Sequence, residues 1–183
     1  MNAAPFHTAL RILAPILYGM RLPRLATTLL LSLVALLASC GAGGVSPQQR
    51  TLAEQALVHL NAARVAGATC GGTNRPPVGR VALNDLLIEA AQAHSNDMLE
   101  MRNLTHTGSD GSNPGQRIAR TGYQAATWGE NAASGYRDEP AVVAGWLRST
   151  PHCNSIMNGN YTEIGVARAD NYWTLVFARP RQQ

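Results

Sequence analysis

Two histidines and two glutamates, in four separate segments, are the side chains of this sequence best suited to chemistry: His106, Glu130, His152 and Glu163. Imidazole nitrogens and carboxylate oxygens bind Zn²⁺ and other divalent cations, and a carboxylate beside a histidine can also orient the ring through a hydrogen bond. Successive members are 24, 22 and 11 positions apart, too far for one helix face or one loop. Only a fold can bring them together.

Two interpretations of these four residues stay open. In the first, His106 and His152 bind zinc or another divalent cation, and Glu130 and Glu163 either add ligands or fix the imidazole rings. In the second, the four side chains form a hydrogen-bonded network that only ties helices to a sheet. We lean towards the metal site.

Sequence motifs of hydrolytic enzymes are missing. The chain has neither a His-Glu-x-x-His helix nor a Gly-x-Ser-x-Gly elbow. A metal-dependent hydrolase acting on envelope peptides or peptidoglycan would use Glu130 or Glu163 as its general base. We expect no catalytic residue and keep that hydrolase as the alternative.

The N-terminal segment predicts export. From Met20 the chain has two arginines, an apolar run over residues 25–38, and then Leu-Ala-Ser before Cys40, which is the pattern of a secretory signal peptide with a bacterial lipobox. The apolar run has about 14 residues, fewer than the roughly 20 that cross a bilayer. We expect residues 1–39 to be removed, with Met20 as the true start, and Cys40 to carry a lipid.

The lipid would anchor the protein to a membrane of the cell envelope. Gly41 rather than Asp follows the cysteine, so in a Gram-negative host we expect the outer membrane, facing the periplasm. Residues 40–50 read as a flexible tether and residues 51–180 as one domain. The chain has a net charge of +4, which falls to +1 without the three arginines of the leader. No basic patch remains to attract nucleic acid.

Once Cys40 is lipidated, Cys70 and Cys153 are the two remaining cysteines. An even pair in an oxidising compartment predicts a disulfide bond. The competing interpretation makes Cys153, which follows His152, a catalytic thiol. We favour the disulfide, because a reactive thiol would oxidise with its only partner.

Periodicity and capping residues predict helices first and a β-hairpin last. The helices are expected over residues 51–66, after Asn84, after Asn113 and after Asp138, the last one stopping before Pro151. The two strands are expected over residues 161–168 and 172–179. His94 lies on the apolar stripe of the second helix and is expected to be a core residue, whereas His59 is expected at the surface.

Five segments in this order resemble the CAP superfamily, the SCP-like domain of cysteine-rich secretory, antigen 5 and pathogenesis-related proteins. They are the helix with His94-Ser95-Asn96-Asp97-Met98, the His106 segment, Gly129-Glu130-Asn131, the Trp146 helix leading to His152, and Thr162-Glu163-Ile164-Gly165. One departure is the run Ser149-Thr150-Pro151-His152, where the family commonly has Ser-Pro-Gly-His.

The resemblance implies an α+β fold, a three-layer α-β-α sandwich with a small antiparallel sheet. It also implies that His106, Glu130, His152 and Glu163 line one cleft. Family members look like binding modules, so we expect a binding protein for a small apolar, glycan or protein ligand. A structural or adhesion lipoprotein is a further alternative.

Overall fold

The computed structural model describes residues 44–182. The predicted signal peptide, the Met20 start and the lipidated Cys40 lie outside these residues. Within them, no helix combines the length and the apolar character needed to cross a membrane.

The described residues form five helices and six strands. In chain order they are α1 (Pro47–Ala66), β1 (Ala68–Cys70), β2 (Thr73–Arg75), β3 (Ala82–Leu83), α2 (Asp85–Met101), α3 (Pro114–Arg120), β4 (Ala125–Ser134), α4 (Glu139–Arg148), α5 (Thr150–Ile156), β5 (Glu163–Ala169) and β6 (Tyr172–Pro180).

The main sheet has four strands in the order β3-β5-β6-β4. Strands β4, β6 and β5 are antiparallel neighbours, and β3 runs parallel to β5. Strand β4 is therefore an edge strand, and it carries Glu130. Strands β1 and β2 form a separate antiparallel hairpin.

Helices cover both faces of this sheet, which confirms the predicted α-β-α sandwich. One core packs residues of α2 and α3 on β5 and β6, among them Leu87, Ile118 and Val176. The other core packs α1, α4 and α5 on the same strands, with Leu60, Trp146 and the β6 residues among its members. Alternate residues of a strand face opposite sides, so two neighbouring positions of β6 can serve two cores.

Helix α2 lies very close to the sheet at Gly165. A Cβ placed there would be 2.0 Å from the backbone carbonyl carbon of Leu87, so no other residue fits. This close approach brings the end of α2 and the loop after it, which carries His106, over the same side of the sheet as Glu130.

Three predicted helix starts are confirmed. Asn84, Asn113 and Asp138 each accept a hydrogen bond from a backbone N–H of the first turn of the helix they cap. The predicted C-terminal hairpin is confirmed as β5 and β6.

Two boundaries differ from the sequence prediction. Helix α1 starts at Pro47 and not at residue 51, because Ser46 and Gln49 form a capping box. Residues after α4 form the extra helix α5, since Pro151 sits in its first turn, where a proline needs no N–H partner.

The predicted disulfide is confirmed. Cys70 at the end of β1 is bonded to Cys153 in α5, with the two Cα atoms 5.5 Å apart. The bond fixes the helix that carries His152 to the β1–β2 hairpin. It also rules out the alternative in which Cys153 is a free catalytic thiol.

Candidate functional site

Glu130 lies at the centre of the candidate site, and its carboxylate is almost fully buried, with 2% of the side chain exposed. Arg117 of α3 donates to its Oε2 atom at 2.7 Å. The same guanidinium donates to the backbone oxygens of Ser112 at 2.8 Å and His106 at 3.1 Å. Arg117 thus pairs the buried charge and also holds the loop that carries His106.

His106 provides the exposed part of this site. Its Nδ1 atom is 2.8 Å from Oε1 of Glu130, and 55% of its side chain is exposed. Since an ionised carboxylate only accepts, Nδ1 carries the hydrogen and Nε2 is the nitrogen left to bind a ligand. The hydrogen bond to Glu130 raises the pKa of His106 above its ordinary value.

His152 lies in the first turn of α5 and is partly buried. Burial lowers its pKa, and the charge of His106 lowers it further. Its backbone oxygen accepts from the Asn131 side-chain amide at 3.1 Å, which joins α5 to the residue after Glu130.

His94 is a core residue as predicted, and it also reaches the site. It is fully buried, and Nε2 donates to the backbone oxygen of Thr105 at 2.8 Å. The same atom is 3.6 Å from Oε1 of Glu130. Its Nδ1 atom has no hydrogen-bond partner among the described residues. Burial lowers its pKa, so His94 contributes a neutral ring behind the Glu130 carboxylate.

Glu163 occupies a different environment. Its Oε2 atom accepts from the hydroxyl of Tyr123 at 2.7 Å and from the side-chain amide of Asn84 at 3.1 Å. A hydrogen bond thus joins His106 to Glu130, and another joins His152 to Asn131, the residue after Glu130. The hydrogen bonds of Glu163 instead go to neutral side chains in the loops before β4 and α2. The sequence analysis did not identify Arg117 or the approach of His94 to Glu130. The positions of these two residues in the sequence do not indicate contact with Glu130.

The arrangement limits the ligands available for a metal ion. Among residues 44–182, no three His, Cys, Asp or Glu side chains are grouped in a way that could hold one. Both oxygens of Glu130 already accept hydrogen bonds, from Arg117 and His106. The imidazole nitrogens of His106 and His152 remain as possible metal ligands, and water would have to complete the coordination.

A family model matches most of the described chain. The model of the cysteine-rich secretory protein family, CAP, covers residues 57–177. This range includes every residue of the site described above.

Two curated relatives come from Bacillus subtilis strain 168. An uncharacterized membrane protein, YlbC, is 34% identical over 91 residues, which are 50% of this chain and 26% of that protein. An uncharacterized protein, YkwD, is 31% identical over 97 residues, or 52% of this chain and 38% of that protein. The match thus spans well under half of either relative.

Solved structures with the same fold come from other bacteria. An extracellular SCP-domain protein of Bacillus anthracis aligns with a TM-score of 0.63 and 24% identity over 75% of this chain and 45% of that one. An outer surface protein of Borrelia burgdorferi aligns with a TM-score of 0.61 and 20% identity over 77% of this chain and 100% of that one. At these identities the likeness establishes the fold.

Proposed function

We propose, because the chain belongs to the cysteine-rich secretory protein (CAP) family, that it is an exported binding protein of the bacterial cell envelope, anchored by a lipid on Cys40. The signal-peptide pattern and the Leu-Ala-Ser-Cys sequence support export and anchoring. Two proteins of the same fold, an extracellular protein and an outer surface protein, agree with that location.

The proposed binding site is centred on His106, and it holds a divalent cation weakly and reversibly. The observation that carries this proposal is the 2.8 Å contact between Nδ1 of His106 and Glu130, which leaves Nε2 for a ligand. His152, whose pKa is lowered, supplies a second neutral imidazole near pH 7. A site with two protein ligands keeps positions for water and binds less tightly than the four-ligand sites of structural zinc.

A binding role is favoured over hydrolysis by the contacts of the possible catalytic groups. Glu130 would have to break its bond with Arg117 or His106 to act as a general base. Within the described residues, the histidine hydrogen bonds go to Glu130 and to a backbone oxygen, and none goes to a serine or threonine hydroxyl. Cys153 is in a disulfide and cannot act as a nucleophile.

Thermal unfolding in the presence of Zn²⁺ tests the metal proposal. At 100-fold excess over the dissociation constant, a ligand of the folded state stabilises it by about 2.7 kcal/mol. The resulting rise in Tm should disappear in His106→Gln and in His152→Gln. It should also fade as pH falls, because a protonated imidazole cannot bind metal, and the loss should begin above about pH 6.5 since the pKa of His106 is raised.

His59→Gln is the matched control, since His59 is an exposed histidine of α1. This variant should keep the full Zn²⁺ effect. If Zn²⁺ leaves the Tm of the wild-type protein unchanged at neutral pH and both site variants unfold at lower temperature, the histidines are only structural and the metal proposal fails.

Cys40→Ala tests the anchor independently. The variant should leave the membrane fraction and should no longer incorporate a fatty-acid label, because the acylated sulfur is gone. Continued membrane association of Cys40→Ala would contradict lipid anchoring while leaving the metal test unaffected.

A further inference from the structure

Trp128 is unusually exposed for its residue type. Trp146 and Trp173 are 1% and 0% exposed, whereas Trp128, in the first half of β4, is 43% exposed. A large aromatic ring loses much of its hydrophobic stabilisation when water covers it, so an exposed tryptophan on a regular strand marks a candidate contact surface.

The Trp128 ring is held in place from one side. A Cβ on Gly115 would be 2.6 Å from Nε1 and 2.7 Å from Cε2 of Trp128, so the indole edge lies directly against the backbone of α3. The hydroxyl of Tyr161 donates to the backbone oxygen of Trp128 at 3.1 Å. The aromatic surface is therefore positioned before any ligand arrives.

A groove of about 370 Å³ between α3 and the start of β4 is bordered by this ring. Its lining residues include three with side-chain amides and one with a guanidinium, which are Asn113, Gln116, Gln124 and Arg181. Tyr123 also lines it, but its hydroxyl donates to Glu163. Among residues 44–182, no Asp or Glu lines the groove.

Two of the amides have hydrogen-bond donors to spare. In the capping box of α3 the side-chain oxygens of Asn113 and Gln116 each accept a backbone N–H. Their NH₂ groups make no hydrogen bond within the described residues, and each can donate to a ligand oxygen. The lining therefore offers neutral donors beside a flat apolar ring.

We propose that this groove is a carbohydrate subsite, in which a pyranose ring stacks its C–H face on Trp128. The amide groups of Asn113 and Gln116 would hydrogen-bond hydroxyl or acetamido oxygens, and Arg181 accommodates an acidic substituent. A lipid chain in this groove would cover the amides of Asn113 and Gln116 without offering them a hydrogen-bond partner, which is unfavourable. An acidic peptide would call for more than one cation.

The subsite adjoins the site of the proposed function. Trp128 and Glu130 are two residues apart on one strand, so their side chains lie on the same face of the sheet. The inference rests on the proposed envelope location, where glycans with N-acetylated sugars are at hand, and it names the ligand class of this surface.

Binding of tri-N-acetylchitotriose to the mature protein tests the proposal. Because the other two tryptophans are buried, a ligand on Trp128 should change the emission of the exposed indole and give a saturable titration, with calorimetry as a second readout. Trp128→Ala should weaken binding at least tenfold, Trp128→Phe should weaken it less, and Arg181→Ala should weaken it for acidic muropeptides more than for the neutral trimer.

Val58→Ala is the matched control, since Val58 is an exposed apolar residue of α1, 66% exposed. It should bind like wild type, and unchanged thermal unfolding of Trp128→Ala would show that the fold is intact. His106→Gln should retain the sugar while losing any Zn²⁺ effect, which separates this inference from the metal proposal. Absence of saturable binding at millimolar sugar, or unchanged binding by folded Trp128→Ala, would overturn it.

Discussion

Glu130 and Glu163 lie on the same face of the same sheet and have opposite environments. Glu130 pairs with Val176 on β6, which pairs in turn with Gly165 on β5, two residues from Glu163. The contacts of Glu130 are charged or titratable: Arg117, His106 and His94. Those of Glu163 are the neutral side chains of Tyr123 and Asn84.

The difference separates the candidate site from a structural tie. Asn84 caps α2 through its side-chain oxygen and donates its amide to Glu163, so Glu163 links the start of that helix to β5. Glu130 instead holds one nitrogen of a histidine ring whose side chain is 55% exposed. Two carboxylates that the sequence presents as equivalent are thus distinguished by their hydrogen-bond partners.

We expect the largest effect on stability from breaking the ion pair between Arg117 and Glu130. Arg117→Met leaves the carboxylate of Glu130, 2% exposed, without its cation. Removing one partner of a buried pair costs about 3 kcal/mol or more in the free energy of unfolding, because the other charge stays desolvated. Urea denaturation of the variant and the wild type measures this loss.

The double variant Arg117→Met/Glu130→Gln is the control for that experiment. It should recover part of the stability, since the uncompensated charge has gone. The opposite result would be a loss below about 1 kcal/mol in the free energy of unfolding of Arg117→Met, with strictly additive effects in the double variant. It would show that Glu130 needs a charged partner no more than Glu163 does.

Sequence predicted the fold best where the determining contacts are local. The caps at Asn84, Asn113 and Asp138 fix helix starts through bonds spanning two or three residues. Strand β4 was not predicted as a strand, because its Ala-rich sequence has little β-propensity and becomes a strand through pairing with β6.

The candidate site was predicted only in part, for the same physical reason. His106 and Glu130 stand in recognisable segments, and the structure joins them through a bond across 24 positions. Arg117 is one of two arginines on a short helix, and nothing in its neighbours indicates that it, and not Arg120, pairs with Glu130. Residue type likewise could not show that Glu163 bonds to Tyr123.

A smaller effect is expected at the structural tie. In Glu163→Gln the neutral amide oxygen can still accept from Tyr123 or Asn84, so the loss should be about 1 kcal/mol. Burial first, and then the bond to Glu163, raises the pKa of Tyr123 above its ordinary value. Losing the negative charge should lower that pKa, which ultraviolet titration at alkaline pH measures. Loss of the Zn²⁺ effect in this variant would place Glu163 in the site after all.

The smallest effect is a shift in the titration of His152, and it probes the coupling between the two histidines directly. Burial mainly lowers the pKa of His152, and the positive charge of protonated His106 adds to the lowering. In His106→Gln that second cause is removed, so NMR titration should show the His152 pKa moving up towards about 6.5 without reaching it. Glu163→Gln, on the same sheet face, should leave it unchanged.

The two histidines should make the free energy of unfolding depend on pH in opposite directions. Because folding raises the pKa of His106, the protonated ring stabilises the folded state. This stabilisation is complete below the pKa of the unfolded chain, about 6.5, and is lost as pH rises through the pKa of the folded state. Because folding lowers the pKa of His152, the folded state is favoured while this ring is neutral. This stabilisation is present above about pH 6.5 and is lost as pH falls through the pKa of the folded state. His106 is more than half exposed, so its contribution should be below 1 kcal/mol. His106→Gln should therefore lower stability at pH 5 by less than 1 kcal/mol and change it less at pH 8. An unshifted His152 titration in this variant would show that the two imidazoles do not share a site.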